Sequence, residues 1–197
     1  MPQKPPPTTR LEAFSDGVIA VIITIMVLEF KVPHQESIAG LYAILPTFII
    51  YLLSFAFTGI YWMNHHHLIH RIEAADSLTL YANLGFLFCL SLLPFFTAYV
   101  LEKKMVAFAV SLYAISMVVT GAAFLGLRLA VHRNLHHTGD LKSEDKAVLR
   151  KHLNSLALYL VAVPVAYYRS YLAIAIIAAV TLMWIIPNLA TRQPTED

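Results

Sequence analysis

The residues best suited to chemistry in this chain fall in two short polar stretches that border long apolar runs. The first stretch is RLEAFSD at residues 10–16, and the second is WMNHHH at residues 62–67, followed by His70. A carboxylate such as Asp16 near imidazoles suits three tasks: relaying protons, binding a metal ion, or joining helices by hydrogen bonds. The task depends on the elements that hold the two stretches.

The histidine spacing permits a metal site, but the rest of the sequence does not favour one. His66 and His70 are four residues apart, and His67 and His70 are three apart, so each pair shares a helix face. A di-iron site also needs several carboxylates facing inward, and haem needs axial histidines deep inside the apolar runs. Those runs hold almost no acids. We therefore predict no metal and no other cofactor.

Hydrogen bonding is the role that we expect for the two stretches. An acid at the membrane surface needs a partner, or its pKa shifts until it is neutral. We expect Arg10, Ser15 and Asp16 to find partners at the end of the second apolar run, among Trp62, Asn64, His66, His67 and His70. A simpler interpretation of Asp16 stays open, because an acid early in a helix also favours the helix dipole.

A third pattern, which we call the first-helix stripe, follows the first polar stretch. It consists of Gly17, Val21, Thr24 and Leu28, with Ile25 at its flank. Spacings of four, three and four place the stripe on one face of a helix, with Ser15 nearly opposite. Such a face can line a pore, or it can be a small-residue surface where helices pack. Periodicity alone does not separate the two.

The composition identifies a membrane protein. Of the 197 residues, 58% are hydrophobic and 13% are charged, and the mean hydropathy is +0.66. A soluble domain of this size has too little interior for so much apolar surface. The net charge of +2 is too small to suggest a nucleic-acid partner. Cys89 is the single cysteine, and no catalytic constellation can be assembled at one depth, so we predict that the protein is not an enzyme.

Uncharged runs give the number of membrane spans. Four runs exceed the ~20 residues that cross a bilayer, and they cover residues 41–63, 77–101, 105–127 and 170–191. The run 153–168 is shorter and needs tilted neighbours or a thin region. Residues 11–30, capped by Thr8 or Thr9, predict one more helix, which carries acids and so belongs inside a bundle or beside water. Prolines within the runs predict kinks, at Pro46, Pro94, Pro164 and Pro187.

The sequence thus predicts an all-α polytopic membrane protein with six transmembrane helices in one domain, residues 10–192. Six spans place both termini on one side, together with ten of the 14 lysines and arginines: Lys4, Arg10, Arg71, Arg128, Arg133, Lys142, Lys146, Arg150, Lys151 and Arg192. This excess places both termini in the cytoplasm. A flexible arm (residues 1–9) and a tail (residues 193–197) are expected there.

The motif R-x-x-x-F-S-D, carried by Arg10, Phe14, Ser15 and Asp16, resembles the first helix of the transmembrane protein 175 family, prokaryotic relatives of the lysosomal potassium channel. The histidine-rich end of the second run and NLGFLFCLSLLPF at residues 83–95 are similar as well. The later runs agree in number and hydrophobicity only.

The resemblance implies a homotetrameric, potassium-permeable channel of the cell membrane without a pore-loop filter. First helices from four subunits line the path, and bulky aliphatic residues on them form the constriction. The matching positions are Val21, Thr24 and Leu28, with Ile25 beside them, and Val21 is smaller than the Ile or Leu usual in the family. The implied partners are further copies of the chain and the lipid bilayer, and the permeant ion is K⁺.

Two other functions stay open at this point. A proton- or cation-coupled transporter would use Asp16 and a histidine as a relay, and a membrane-bound redox enzyme would use histidine ligands. Transporters usually show internal repeats and broken helices near the midplane, whereas the ionisable groups here gather at one interface.

Overall fold

The computed structural model describes residues 8–28, 36–135 and 143–190. These residues form helices and no strands. The helices are α1 (Thr8–Val27), α2 (Ile38–Ala43), α3 (Leu45–Ile69), α4 (Ser77–Ser91), α5 (Leu93–Glu102), α6 (Ala107–Leu135), α7 (Ser143–Tyr168) and α8 (Ser170–Ala190). The all-α fold class is therefore confirmed.

Within the described residues, three helical stretches are long and apolar enough to cross a membrane. They are Leu45–Ile69, Ser77–Glu102 and Ala107–Leu135. A shorter apolar stretch covers Ser170–Ile185 in α8. The protein is thus a multi-pass helical membrane protein, because each long stretch exceeds the ~20 residues that span a bilayer.

The prolines act in two ways. Pro46 and Pro94 stand in the first turns of α3 and α5, directly after breaks at Ile44 and Leu92. Proline lacks an N–H and its ring clashes with the preceding turn, so a helix readily begins there but does not run through unchanged. Pro164 lies inside α7, which continues past it.

The first helix differs in its bounds from the predicted range of residues 11–30. It begins at Thr8, so the proposed capping residues Thr8 and Thr9 lie in the first turn, and it ends at Val27. Phe30, residues 1–7 of the predicted arm and the tail at 193–197 lie outside the described residues.

The helices pack around α6, which contacts α4, α5, α7 and α8, while α1 lies along α3, α4 and α5. Aromatic rings fill the centre: the Phe124 ring centroid lies 5.1 Å from those of Tyr61 and Phe86, both edge-on. Edge-to-face rings at this separation are a favourable arrangement. They hold α3, α4 and α6 in one register and so fix the surface on which α1 lies.

Candidate functional site

The first helix has one buried face and one exposed face. The buried residues are Leu11, Ser15, Ile19, Ile22 and Met26, at spacings that keep them on one side. The first-helix stripe points the other way, and Val21 and Leu28 are 54% and 78% exposed. Thr24 and Ile25 are exposed as well. The stripe therefore faces away from the subunit's own core.

Ser15 is fixed to two other helices by a buried chain of hydrogen bonds. Its hydroxyl donates to the Leu11 carbonyl (2.8 Å) and accepts from Asn83 Nδ2 on α4 (3.0 Å). Asn83 Oδ1 in turn lies 2.8 Å from His65 Nε2 on α3. Because an amide oxygen only accepts, the His65 proton must be on Nε2. Ser15, Asn83 and His65 are fully or almost fully buried, so this chain joins α1, α3 and α4 away from water.

The indole of Trp62 orients the Asp16 carboxylate toward α3. Trp62 Nε1 on α3 donates to Asp16 Oδ1 at 2.8 Å. The Trp62 ring also stacks on His66, with centroids 6.2 Å apart. The carboxylate is exposed, but this bond turns it toward α3. A hydrogen bond to an ionised acceptor is among the stronger kinds, so it adds a second tie between α1 and α3.

A third contact joins the first turn of α1 to the end of α3. His70 Nδ1 lies 3.2 Å from Glu12 Oε1, with the His70 side chain 57% exposed and that of Glu12 18% exposed. Glu12 Oε1 has no partner with hydrogen-bond geometry among the described residues. The contact therefore depends on the charge of the imidazole. His66 packs edge-on against His70, with ring centroids 4.3 Å apart.

The structure brings together some of the residues predicted as partners and not others. Trp62, His66 and His70 gather beside Asp16 and Glu12. Asn64 and His67 instead bond carbonyls of their own helix, those of Ile60 (2.7 Å) and Met63 (2.6 Å). Arg10 and Phe14 are exposed.

Sequence reasoning did not place His65, Asn83 or Glu12 in the site. The available signal was that an amide inside an apolar run needs a partner, which is true of Asn83. Which of three adjacent histidines supplies that partner depends on the rotation of α3, and tertiary packing sets that rotation.

An apolar groove of about 590 Å³ runs beside the stripe. It lies between α1 and the α4–α5 break, and its lining includes Phe14, Val21 and Ile25 on one side and Ser91 and Pro94 on the other. The described residues contain no group of three or more His, Cys, Asp or Glu side chains that could hold a metal ion. The arrangement is therefore an anchored helix with an open apolar face.

The sequence that forms this arrangement is similar to that of known proteins. A family model described as the endosomal/lysosomal potassium channel TMEM175 matches residues 10–94, which include most of α1, all of α3 and Asn83. The chain is also similar to a protein named a potassium channel from Chryseobacterium sp., at 38% identity over 188 residues, covering 95% of this chain and 97% of that protein. The chain belongs to the TMEM175 family. The resemblance carried by the R-x-x-x-F-S-D motif is thus confirmed.

Two other TMEM175 proteins are similar to this chain, each over a different length. The crystal structure of a lysosomal potassium-selective channel TMEM175 homolog from Chamaesiphon minutus aligns with a TM-score of 0.77 and 28% identity, over 91% of this chain and 97% of that chain. The rat endosomal/lysosomal proton channel TMEM175 is 35% identical over 92 residues, which are 40% of this chain and 18% of that protein. The relatives are ion channels and not enzymes, so the prediction of a non-enzyme is confirmed.

Proposed function

We propose that this chain is a subunit of a homotetrameric, potassium-permeable cation channel whose first helices line the conduction path. In this proposal the chain crosses the cell membrane six times and keeps both termini in the cytoplasm, as the count of basic residues favours. The observation that carries the proposal is the division of α1 into a bonded, buried face and an exposed face. The exposed face bears Val21, Thr24 and Ile25 and continues to Leu28, the residue directly after the helix. The potassium-channel names of the Chryseobacterium and Chamaesiphon relatives support the choice of ion.

The gate in this proposal is a ring of aliphatic side chains. Four copies of Val21 and Leu28 around one axis form a narrow, dry constriction, which excludes a hydrated cation by dewetting. A small widening admits a partly dehydrated ion. Because no cage of backbone carbonyls is part of this path, we expect only a modest preference for K⁺ over Na⁺.

In this proposal Thr24 replaces some of the hydration that the ion loses. Its Oγ1 lies 3.0 Å from the carbonyl oxygens of both Ala20 and Val21. The hydroxyl proton is therefore directed to the helix backbone, and the free lone pairs of the oxygen are available to a cation.

The groove beside the stripe supports assembly through α1. Phe14 and Val21 are more than half exposed, and the groove that they line is apolar. A concave groove along a helix offers the close packing by which membrane helices associate. A first helix from a second copy would cover it, while the bond from Trp62 holds the Asp16 charge away from the axis.

The transporter alternative receives less support from the contacts. A relay through Asp16 needs a group that takes up its proton, but Trp62, the partner of Asp16, offers an indole that only donates. His65 reaches α1 through Asn83 and Ser15 and not through Asp16.

Planar-bilayer recording of the purified protein tests the proposal. Under a K⁺ gradient we expect unitary currents that reverse near the K⁺ equilibrium potential, and smaller currents when Na⁺ replaces K⁺. Native mass spectrometry of the detergent-purified protein should show four copies. Slow transport without unitary currents would favour the transporter, and currents that follow only an imposed pH gradient would assign the permeant ion as H⁺.

A further inference from the structure

A second groove lies on another side of the molecule, between α4 and α6. We call it the α4–α6 groove; it runs from Leu78 to Cys89 on α4 and from Ala123 to Arg133 on α6. Its volume is about 540 Å³, and apart from Cys89 and Arg133 its lining side chains are apolar or absent. It is separate from the groove beside the first-helix stripe.

The glycines of this groove are not explained by close packing of helices. A Cβ added at Gly85 or Gly126 would meet nothing within 4 Å. At Gly121, also on α6, a Cβ would come within 2.6 Å of Leu156 Cδ2 and 2.9 Å of the Tyr61 hydroxyl. Small residues usually let two helices approach closely, which fits Gly121 and does not fit Gly85 or Gly126. These two glycines leave open a cleft that the described residues of the subunit do not fill.

The length of the groove matches one leaflet of a bilayer. At ~1.5 Å per residue, the helix from Leu78 to Cys89 rises about 16 Å. Half of a ~30 Å hydrocarbon core is about 15 Å. The groove is therefore long enough to reach from a membrane surface at its Arg133 end to the midplane, the depth that one acyl chain occupies.

The charged end of the groove suits a phosphate. Arg133 is exposed, and it forms no ion pair within the part of the chain that the structure describes. The nearby acid, Asp76, accepts a hydrogen bond from the Thr79 N–H at 2.8 Å. Hydrogen bonding with Thr79, and to a smaller extent the Arg133 charge, hold the pKa of Asp76 below its usual range. The N–H groups of the Arg133 guanidinium therefore remain available, and their planar arrangement suits two parallel hydrogen bonds to two oxygens of one phosphate.

We propose that the α4–α6 groove binds one anionic phospholipid from the leaflet at its Arg133 end. The phosphate rests on Arg133, and one acyl chain lies along Gly126 and Gly85 toward Cys89. In the orientation proposed above this is the cytoplasmic leaflet, where anionic lipids attract cationic side chains. The site does not depend on ion conduction.

Lipid binding to the full-length protein in detergent tests the site. Native mass spectrometry counts bound dioleoylphosphatidylglycerol and, separately, dioleoylphosphatidylcholine, and a thermal-shift series gives an apparent affinity for each. We expect the anionic lipid to bind about fivefold more tightly, as one favourable cation contact allows. Glycerol phosphate, which has the charge but no acyl chain, should give no stabilisation.

Two variants separate the charge from the cleft. Arg133→Gln should remove the preference for the anionic lipid and leave binding of the zwitterionic lipid unchanged. Gly126→Leu should weaken binding of both lipids by filling the cleft, and Gly85→Leu repeats that test on the other helix. Leucine is a better helix former than glycine, so these variants should fold.

Matched controls lie outside the groove. Arg150→Gln removes another exposed arginine of the same predicted side, and Gly59→Leu fills a position on α3 where a Cβ also meets nothing within 4 Å. Both should bind the two lipids as the parent does. The proposal is overturned if Arg133→Gln keeps the preference, if both glycine variants keep full binding, or if they change the number of protein copies and not of lipids. Potassium currents recorded in parallel show separately whether the proposed channel function fails.

Discussion

The two halves of α1 differ in how firmly they are attached to the rest of the subunit. Between Leu11 and Asp16 the helix is tied to α3 and α4 by the buried Ser15–Asn83–His65 chain and by the Trp62 indole. Between Val21 and Leu28 the outward side carries aliphatic residues, and its one hydroxyl, on Thr24, bonds its own helix. In a bilayer the hydrophobic effect does not hold helices together, because lipid is as apolar as leucine. Polar bonds at one end therefore fix the position of a helix whose other end remains open to a partner.

The contrast separates two classes of substitution. Changes in the anchored half should lower the stability of the subunit, and changes in the open half should alter conduction with the fold intact. A substitution in the anchored half that changed only conduction, or one in the open half that lowered only stability, would contradict this division.

The largest effect is expected from Asn83→Ala. The amide is the only link between Ser15 and His65 within the described residues, so its removal leaves both without their interhelical bond. We expect a loss of about 2 kcal/mol in the free energy of unfolding, measured by thermal or denaturant unfolding in detergent. Asn64→Ala is the matched control, because Asn64 bonds its own helix. Equal losses for the two variants would contradict the anchoring role of Asn83.

Truncating the open half should change conduction instead. Leu28→Ala and Val21→Ala each widen the proposed ring, and we expect the K⁺ leak current in planar bilayers to rise several-fold. Both side chains are largely exposed, so the unfolding temperature of the subunit should stay near that of the parent. Leu160→Ala on α7, where the leucine is 60% exposed, is the control. If the stripe variants conduct as the control does, the pore assignment of α1 is wrong.

These two halves also differ in how far the sequence predicts them. The stripe and its opposition to Ser15 follow from helix geometry alone, because a rise and a rotation per residue fix which positions share a face. The direction of the stripe, away from the subunit's core, follows from where the polar group Ser15 must be buried. Those features are local to one helix.

The partners of Ser15 and Asp16 are not local, and the sequence predicts them less well. Trp62 was among the candidates for Asp16, whereas the histidine that reaches Ser15 is His65 and not one of its neighbours. The rotation of α3 decides this, and it is set by Tyr61 against Phe86 and Phe124 in the core. The proline kinks show the same limit: Pro46 and Pro94 follow helix breaks, whereas α7 continues past Pro164. Membrane helices tolerate an internal proline where the surroundings satisfy the freed backbone groups, which the local sequence does not reveal.

The bond between Trp62 and Asp16 should contribute less than Asn83, since the carboxylate is exposed. A double-mutant cycle with Asp16→Ala and Trp62→Phe should give a coupling free energy of about 1 kcal/mol in unfolding. We also expect both single variants to reduce the fraction of assembled tetramer or to alter gating, while the ratio of K⁺ to Na⁺ currents stays unchanged. Trp184→Phe, which removes an indole bonded to Ser155 instead, should show no coupling to Asp16→Ala. A coupling near zero for the Trp62 pair would mean that the carboxylate is held by the helix dipole alone.

The smallest effect is expected from Glu12→Gln. The Glu12 carboxylate faces a half-exposed imidazole at 3.2 Å without hydrogen-bond geometry, and such pairs contribute about 0.5 kcal/mol or less. Glu12→Gln removes the charge and keeps the size of the side chain, so we expect the free energy of unfolding in detergent to fall by no more than that amount. Glu102→Gln is the control, since it removes another exposed ion pair, with Lys103 at 3.4 Å. A loss in Glu12→Gln well above that of the control would show that Glu12 holds α1 more strongly than an exposed ion pair does, and the anchored half of α1 would then not rest on Ser15 and Asp16 alone.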